Sequence, residues 1–131
     1  MTLNIKNLVE MANAVVPRIT PAEARELMAE REALVVDVRE AAEVMASGKV
    51  AGAIHVSRGV LEFRADPEAP SHEKNFDKRR VIIVYCASGG RAALSGKTLI
   101  EMGYGNVYNL GTFKDWLEYG GAVDCLEGKK V

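Results

Sequence analysis

Hydrophobic positions along this chain change their spacing several times, and each change marks a predicted secondary-structure element. Near the N-terminus apolar residues recur at helical intervals, which predicts an amphipathic helix over residues 1–16 that Pro17 ends. Residues 33–38 and 81–85 have apolar side chains at both odd and even positions, as expected for strands buried on both faces of a parallel sheet. Shorter apolar runs predict three further strands, at residues 18–19, 53–56 and 107–110.

Helical patterns with capping residues separate these strands. Thr20 precedes Pro21 and lies three positions before Glu23, which is the pattern of a capping box at a helix start. Thr112 and Asp115 have the same spacing at the start of a predicted final helix. The alternation of strands and helices predicts an α/β fold, a single doubly wound domain with a mostly parallel, about five-stranded central sheet flanked by helices.

The pattern divides the chain into three segments. Residues 1–17 form a helical extension, residues 18–122 the α/β domain, and residues 123–131 a C-terminal tail that contains Cys125. The apolar stripe of the first helix is expected to pack on the domain, with a partner surface or a homodimer as the alternative. A role for Cys125 as a resolving thiol for Cys86 stays open.

Composition and charge exclude several classes of partner. The 131 residues include 17 basic and 18 acidic side chains, which gives no electrostatic basis for nucleic acid or a membrane as the main partner. No apolar run approaches the roughly 20 residues that span a bilayer, and the N-terminus lacks the basic start of a signal peptide. These features predict a cytoplasmic location. His55 and His72 stand apart from each other and from any cysteine cluster, so no metal site is predicted.

Cys86 follows the strongest predicted strand and precedes a turn with two glycines, Gly89 and Gly90, that opens a helix. Glycines in such a turn, together with the first N–H groups of the helix, aim several backbone donors at one point. A thiolate at that point is stabilised, and the thiolate is the nucleophilic form of cysteine. A lone cysteine after an apolar strand is more often simple core packing, but the glycine turn favours a catalytic role.

Several polar side chains near this turn are candidate site residues. Arg91 supplies a fixed positive charge and a fork of donors that suits an oxyanion. Arg58 and Arg64, which follow the third strand, either face the same pocket and attract an anionic donor or are solvated surface residues. Ser88 either offers its hydroxyl to the sulfur or is a plain turn residue.

Four segments of the chain resemble those of rhodanese-domain sulfurtransferases. Residues 86–91 (Cys-Ala-Ser-Gly-Gly-Arg) resemble the active-site loop of that family, and residues 37–39 (Asp-Val-Arg) resemble its Asp-x-Arg signature. Residues 50–56 are similar to the segment before its third strand, and residues 103–111 with Trp116 resemble its closing strand and helix. Departures at Lys49, Ala51 and Gly111-Thr112 fall in segments that concern the fold.

The resemblance implies a rhodanese-like fold and a sulfurtransferase mechanism. Cys86 would attack the sulfane sulfur of thiosulfate or another persulfide donor and hold that sulfur as a covalent persulfide, with no other cofactor. A thiol, cyanide or a protein thiol would then accept it. Asp37 and Arg39 are expected to give structural support. The persulfide would be cradled by the N–H groups of Ala87, Ser88, Gly89, Gly90 and Arg91.

Three rival functions remain. Phosphatases and arsenate reductases of the same fold have five residues between their loop cysteine and arginine, whereas four separate Cys86 from Arg91 here, which favours a single sulfur atom over a phosphate. A regulatory rhodanese-like binding module commonly lacks the cysteine that this chain has. A persulfide carrier that serves one protein acceptor differs from the main hypothesis only in its partner.

Overall fold

The computed structural model describes residues 2–125, which contain six helices, six strands and one short 3₁₀ turn at Arg58–Val60. The helices are α1 (Ile5–Val15), α2 (Pro21–Arg31), α3 (Ala41–Ser47), α4 (Leu61–Ala65), α5 (Gly90–Glu101) and α6 (Phe113–Glu118). The strands are β1 (Leu34–Asp37), β2 (Lys49–Val50), β3 (Ile54–His55), β4 (Val81–Cys86), β5 (Asn106–Thr112) and β6 (Val123–Asp124). Within that range no helix has both the length and the apolar character needed to cross a bilayer.

A parallel sheet in the order β3–β1–β4–β5 forms the centre of the fold. Helices cover it on both faces, so the predicted α/β class is confirmed. The strand predicted at residues 18–19 is reduced to a single parallel bridge between Arg18 and Asn109, which leaves four strands in the sheet rather than five. Pro17 explains the short pairing, because proline lacks the N–H that would extend the ladder.

Alternate side chains of β4 contribute to two separate hydrophobic cores. Ile82, Val84 and Cys86 point towards the α5 side, whereas Val81, Ile83 and Tyr85 point towards the α2 and α6 side. All six residues of β4 are buried, as the uninterrupted apolar run predicts. This alternation decides that the cysteine at the end of the strand faces α5.

The capping patterns of the sequence form as predicted at two helix starts. The Thr20 hydroxyl accepts a hydrogen bond from the Glu23 N–H at 3.1 Å, and the Glu23 carboxylate accepts one from the Thr20 N–H at 2.9 Å. At α6 the Thr112 hydroxyl accepts from the Asp115 N–H at 3.0 Å. Both helices therefore begin where local chemistry satisfies their first N–H groups.

The N-terminal helix packs on its own domain with one edge only. Val16, which follows α1, lies against Gly96 of α5 so closely that a Cβ atom there would come within 2.8 Å of Val16 Cγ1. Ala12 is also buried. A neighbouring stripe of the same helix stays exposed: Ile5, Leu8, Met11 and Val15. The buried edge of this helix thus packs on the domain, as predicted, while the exposed stripe leaves the alternative of a partner surface or a homodimer open.

The segment predicted as a tail begins with a strand. Val123 and Asp124 of β6 pair antiparallel with β2, and the Asp124 carboxylate accepts a hydrogen bond from the Gly52 N–H at 2.9 Å. The Val50 N–H in turn donates to the Tyr85 hydroxyl at 2.9 Å, next to Cys86 in the chain. A two-residue strand has no periodicity of its own, which is why the sequence pattern misses it. Residues 126–131 of the predicted tail lie outside the described residues.

Candidate active site

Cys86 ends β4 at the carboxyl edge of the sheet, where ligands of parallel α/β sheets bind. Its Sγ accepts hydrogen bonds from the Gly89 N–H at 3.0 Å and from the Ala92 N–H at 3.4 Å. The side chain is fully buried under the turn that follows it. The sulfur is therefore held by backbone donors in a space closed to bulk water.

Gly89 gives the turn its shape. It precedes α5 with φ at 97°, in the left-handed region that glycine enters without steric cost. This conformation turns the Gly89 N–H back towards Sγ while the chain enters the helix. Ala87 and Ser88 remain exposed at the outer side of the turn, and Gly90 is half-buried.

The donors to the resting thiol overlap with the N–H groups that are expected to cradle a persulfide. Of the five predicted N–H groups, Gly89 donates to Sγ, whereas the second donor is Ala92, one residue beyond the predicted loop. Ala92 is the third residue of α5, and the first helical N–H groups have no partner within the helix. The unpaired N–H groups at a helix start could have indicated Ala92, but the predicted set ended at Arg91.

Arg91 is brought beside Cys86 but is paired with a residue that sequence reasoning missed. Its Nη1 and Nη2 donate to the two carboxylate oxygens of Glu43 at 2.7 and 2.9 Å. This bidentate contact lowers the pKa of Glu43 to about 2, and it raises the pKa of Arg91, with the sulfur of Cys86 as a smaller contributor. The local signal at Glu43 is only a capping pattern with Glu40, so its partner 48 positions away could not be predicted from the sequence.

Asp37 and Arg39 form a closed network at the end of β1. Arg39 donates to both carboxylate oxygens of Asp37, to the Ser47 hydroxyl at 2.8 Å and to the Gly48 carbonyl at 2.8 Å. Its guanidinium also lies over the ring of Phe113, 4.5 Å from the centroid. Neither residue makes a hydrogen bond to Sγ. The network therefore holds the C-terminal end of α3 in place and has no direct contact with the sulfur.

Arg58, predicted as a donor-binding residue, is directed elsewhere. Its Nη1 donates to Glu62 at 2.9 Å and its Nη2 to the Thr98 hydroxyl at 3.1 Å. Thr98 lies more than two turns along α5 from the turn that holds Sγ. The structure therefore does not bring Arg58 to the loop, because a local carboxylate and a helix hydroxyl hold its guanidinium. Arg64 is exposed on α4.

Residues 20–119 match the model of the rhodanese-like domain family. The chain belongs to the rhodanese-like family. Among its relatives is the thiosulfate sulfurtransferase GlpE of Coxiella burnetii, 29% identical over 100 residues that cover 76% of this chain and 85% of the relative. The residues that match the family model run from α2 to α6 and include all four segments that resemble the family in sequence.

Two solved structures are similar over most of their length. A protein of Rhodopseudomonas palustris, described as of unknown function and a possible tyrosine phosphatase, has a TM-score of 0.85 at 32% identity, over 95% of this chain and 96% of that one. A polysulfide-sulfur transferase homodimer of Wolinella succinogenes has a TM-score of 0.69 at 35% identity, over 88% and 82% of the two chains. Both support the rhodanese-type fold.

Proposed function

We propose that this protein is a sulfurtransferase that moves a sulfane sulfur through a persulfide on Cys86. The observation that carries the proposal is the pair of backbone N–H groups, of Gly89 and Ala92, that donate to Sγ at the start of α5. Donors of this kind, together with the positive end of a helix, favour the thiolate. No histidine contacts Sγ within residues 2–125, so the backbone supplies the activation.

The transfer balances without an oxidant or a reductant. The Cys86 thiolate attacks the outer sulfur of thiosulfate, a new S–S bond forms, and the old S–S bond breaks with its electron pair leaving on sulfite. The product on the protein is a persulfide anion. An acceptor thiolate or cyanide then attacks the terminal sulfur of the persulfide and regenerates the Cys86 thiolate.

Family members support this choice of substrates. The Coxiella relative is named a thiosulfate sulfurtransferase, and the Wolinella neighbour is described as a polysulfide-sulfur transferase. A small anionic sulfur donor and a thiol, cyanide or protein-thiol acceptor are therefore the substrates that we propose here. A reducing cytoplasm, in which acceptor thiols stay reduced, is the compartment that suits this chemistry.

Burial of Cys86 limits how the donor approaches. Because the thiol has no exposed surface, the donor reaches it only when the turn of residues 87–90 moves outward. Gly89 and Gly90 give that turn the conformational freedom to do so. Small donors are thus favoured over bulky ones, and the extra sulfur of the persulfide occupies the space that the turn leaves.

A phosphatase activity fits the site less well. A phosphate needs a ring of donors around several oxygens and a guanidinium free to bind them. Here the turn is one residue shorter, two N–H groups converge on the sulfur itself, and Glu43 occupies both arms of Arg91. The description of the Rhodopseudomonas neighbour makes this alternative worth a direct assay with an aryl phosphate, which we expect to be inert.

Two further alternatives concern partners rather than chemistry. A persulfide carrier for one protein acceptor would use the same Cys86 site, whereas a purely regulatory binding module would have no use for it. The exposed stripe of α1 is a surface that a second copy of the chain can cover, and the Wolinella neighbour is described as a homodimer. Sedimentation equilibrium of the native chain and of a Met11→Glu variant would test this homodimer.

Mass spectrometry after incubation with thiosulfate is the direct test of the proposed function. We expect the mass to increase by one sulfur atom, the modified peptide to contain Cys86, and cyanide to remove the sulfur as thiocyanate. Cys86→Ser should abolish the adduct and Cys125→Ser should keep it. A wild-type protein that gains no sulfur, or gains it only on Cys125, would contradict the proposal.

A further inference from the structure

The positive charge of Arg91 is not free to attract an anionic sulfur donor. Both terminal nitrogens of that residue donate to Glu43, so its positive charge is largely balanced by a carboxylate. Thiosulfate carries two negative charges, and its approach to a thiolate adds repulsion. A second cation at the loop would offset that repulsion, and the structure has one in Arg18.

The Arg18 side chain lies against the glycines that frame the turn. Gly111 has φ at 88°, and a Cβ atom there would overlap the Arg18 guanidinium. A Cβ atom on Gly89 would lie 3.9 Å from Arg18 Nη1 and 3.8 Å from the Gly111 Cα. The guanidinium is therefore next to the residue whose N–H donates to Sγ. Gly111, which the sequence pattern assigns to the fold alone, is what makes room for it.

The N–H groups of the Arg18 guanidinium have no hydrogen-bond acceptor in the described part of the resting site. Within residues 2–125 the Arg18 side chain makes no hydrogen bond to another residue, and its ion pair with Asp115 is long, at 3.6 Å. The side chains of Arg18 and Asp115 are 54% and 47% exposed. Such a pair holds the guanidinium in place weakly and leaves its planar fork of donors accessible to an anion.

We infer that Arg18 is a donor-binding residue of this site, which attracts the anionic group of the sulfur donor to the mouth of the Cys86 turn. Arg18 is the cation that first meets the donor, and Asp115 competes with the donor for its guanidinium. The inference deepens the proposed function and rests on it. It also explains why a site with a balanced Arg91 can select an anionic donor.

The ratio of two alkylation rates measures this charge without relying on sulfur transfer. Iodoacetate is an anion and iodoacetamide is a neutral molecule of similar size, and both alkylate the Cys86 thiolate. Their rate ratio at Cys86, followed in the native chain by the mass of the peptide that contains Cys86, therefore reports the potential at that thiol, while access cancels. The rate of persulfide formation with thiosulfate is measured in parallel on the same variants.

We expect Arg18→Ala to lower the iodoacetate-to-iodoacetamide ratio and the thiosulfate rate by about fivefold each, since one unit charge is lost close to the thiol. Arg18→Lys should retain most of the alkylation ratio, because it keeps the charge. Asp115→Asn should raise both quantities by about twofold, because it frees the guanidinium. The matched control is Arg79→Ala, an exposed arginine that is likewise paired with an aspartate but precedes β4 at the opposite edge of the sheet, and it should change neither quantity.

The outcomes separate the inference from the proposed function. An Arg18→Ala protein that takes sulfur at the wild-type rate and keeps the wild-type alkylation ratio would overturn the inference and leave the proposed function intact. A wild-type protein that forms no persulfide would instead overturn the proposed function, and with it the role of Arg18 towards a sulfur donor. Equal losses in Arg18→Ala and Arg79→Ala would show a general charge effect and also overturn the inference.

Discussion

Two ion pairs stand at the carboxyl edge of the sheet, and they differ in how deeply they are buried. The Asp37 and Arg39 side chains are 0% and 5% exposed, and Ser47 and Gly48 accept two further hydrogen bonds from the guanidinium. The Glu43 and Arg91 side chains are 36% and 34% exposed, and they lie beside the sulfur. The first pair cannot be opened without stranding a buried charge, whereas the second pair can exchange partners. We expect the first to determine stability and the second to tune chemistry.

The largest effect is expected from breaking the buried pair. Asp37→Asn should lower the free energy of unfolding by about 3 kcal/mol, because the Arg39 charge then stays buried without its counter-charge. Urea denaturation of the purified protein measures this. Asp77→Asn is the matched control, since Asp77 pairs with Arg79 at the surface, and it should leave stability unchanged. Equal stability of Asp37→Asn and the wild type would contradict the distinction between the two pairs.

Breaking the half-exposed pair should affect chemistry more than stability. Arg91→Ala should slow persulfide formation from thiosulfate by about tenfold, because the negative charge of Glu43 is then left without its counter-charge near the thiolate and the anionic donor. Its unfolding free energy should fall by no more than about 1 kcal/mol, as is usual for a solvent-accessible ion pair. Stopped-flow trapping of the persulfide and urea denaturation measure the two quantities. A variant that loses stability but keeps its rate would reverse our assignment of the two pairs.

The response to pH should show a smaller effect from the same pair. The Arg91 guanidinium lowers the pKa of Glu43 to about 2 from an ordinary 4.5. A carboxylate whose pKa is lowered by folding stabilises the fold fully above its unfolded pKa and loses that contribution as the pH falls to its folded pKa. The stability difference between the wild type and Glu43→Gln should therefore be constant above about pH 4.5 and disappear near pH 2. Solvent screening should keep it below about 1 kcal/mol, and a difference that persists at pH 2 would contradict the assignment.

The smallest effect is expected at Arg58, which belongs to neither pair. Its guanidinium is held by Glu62 and Thr98, away from the sulfur. Arg58→Ala should therefore leave the rate of persulfide formation with thiosulfate unchanged. A loss as large as that expected for Arg91→Ala would mean that Arg58 reaches the donor when the turn opens.

The parts of the molecule that follow from the sequence are those determined locally. Thr20 and Thr112 cap helices through partners three residues away, and the apolar run that ends at Cys86 is a buried strand by its own composition. The position of the nucleophile follows from these rules, because a parallel strand delivers its last residue to the edge where the next helix starts.

The parts that do not follow depend on residues distant in the chain. Glu43 has an ordinary capping role by sequence, and only the fold brings it to Arg91. Arg58 has the position of a pocket residue by sequence, but a carboxylate one helical turn away holds it. The partner of such a residue is the one that the folded chain brings within hydrogen-bond distance. The spacing of residues along the sequence does not show which partner that is.

The pairing of β6 with β2 has a consequence for how the protein matures on the ribosome. Gly52 and Asp124 are bonded across 72 positions, so this contact can form only after nearly all of the described chain has emerged. Until then Val50, whose N–H donates to the Tyr85 hydroxyl, has no β6 strand beside it. Nascent chains stalled before Val123 should therefore lack the β2–β6 pairing while the parallel sheet can already form, so this short sheet should be a late step in the folding of the described residues.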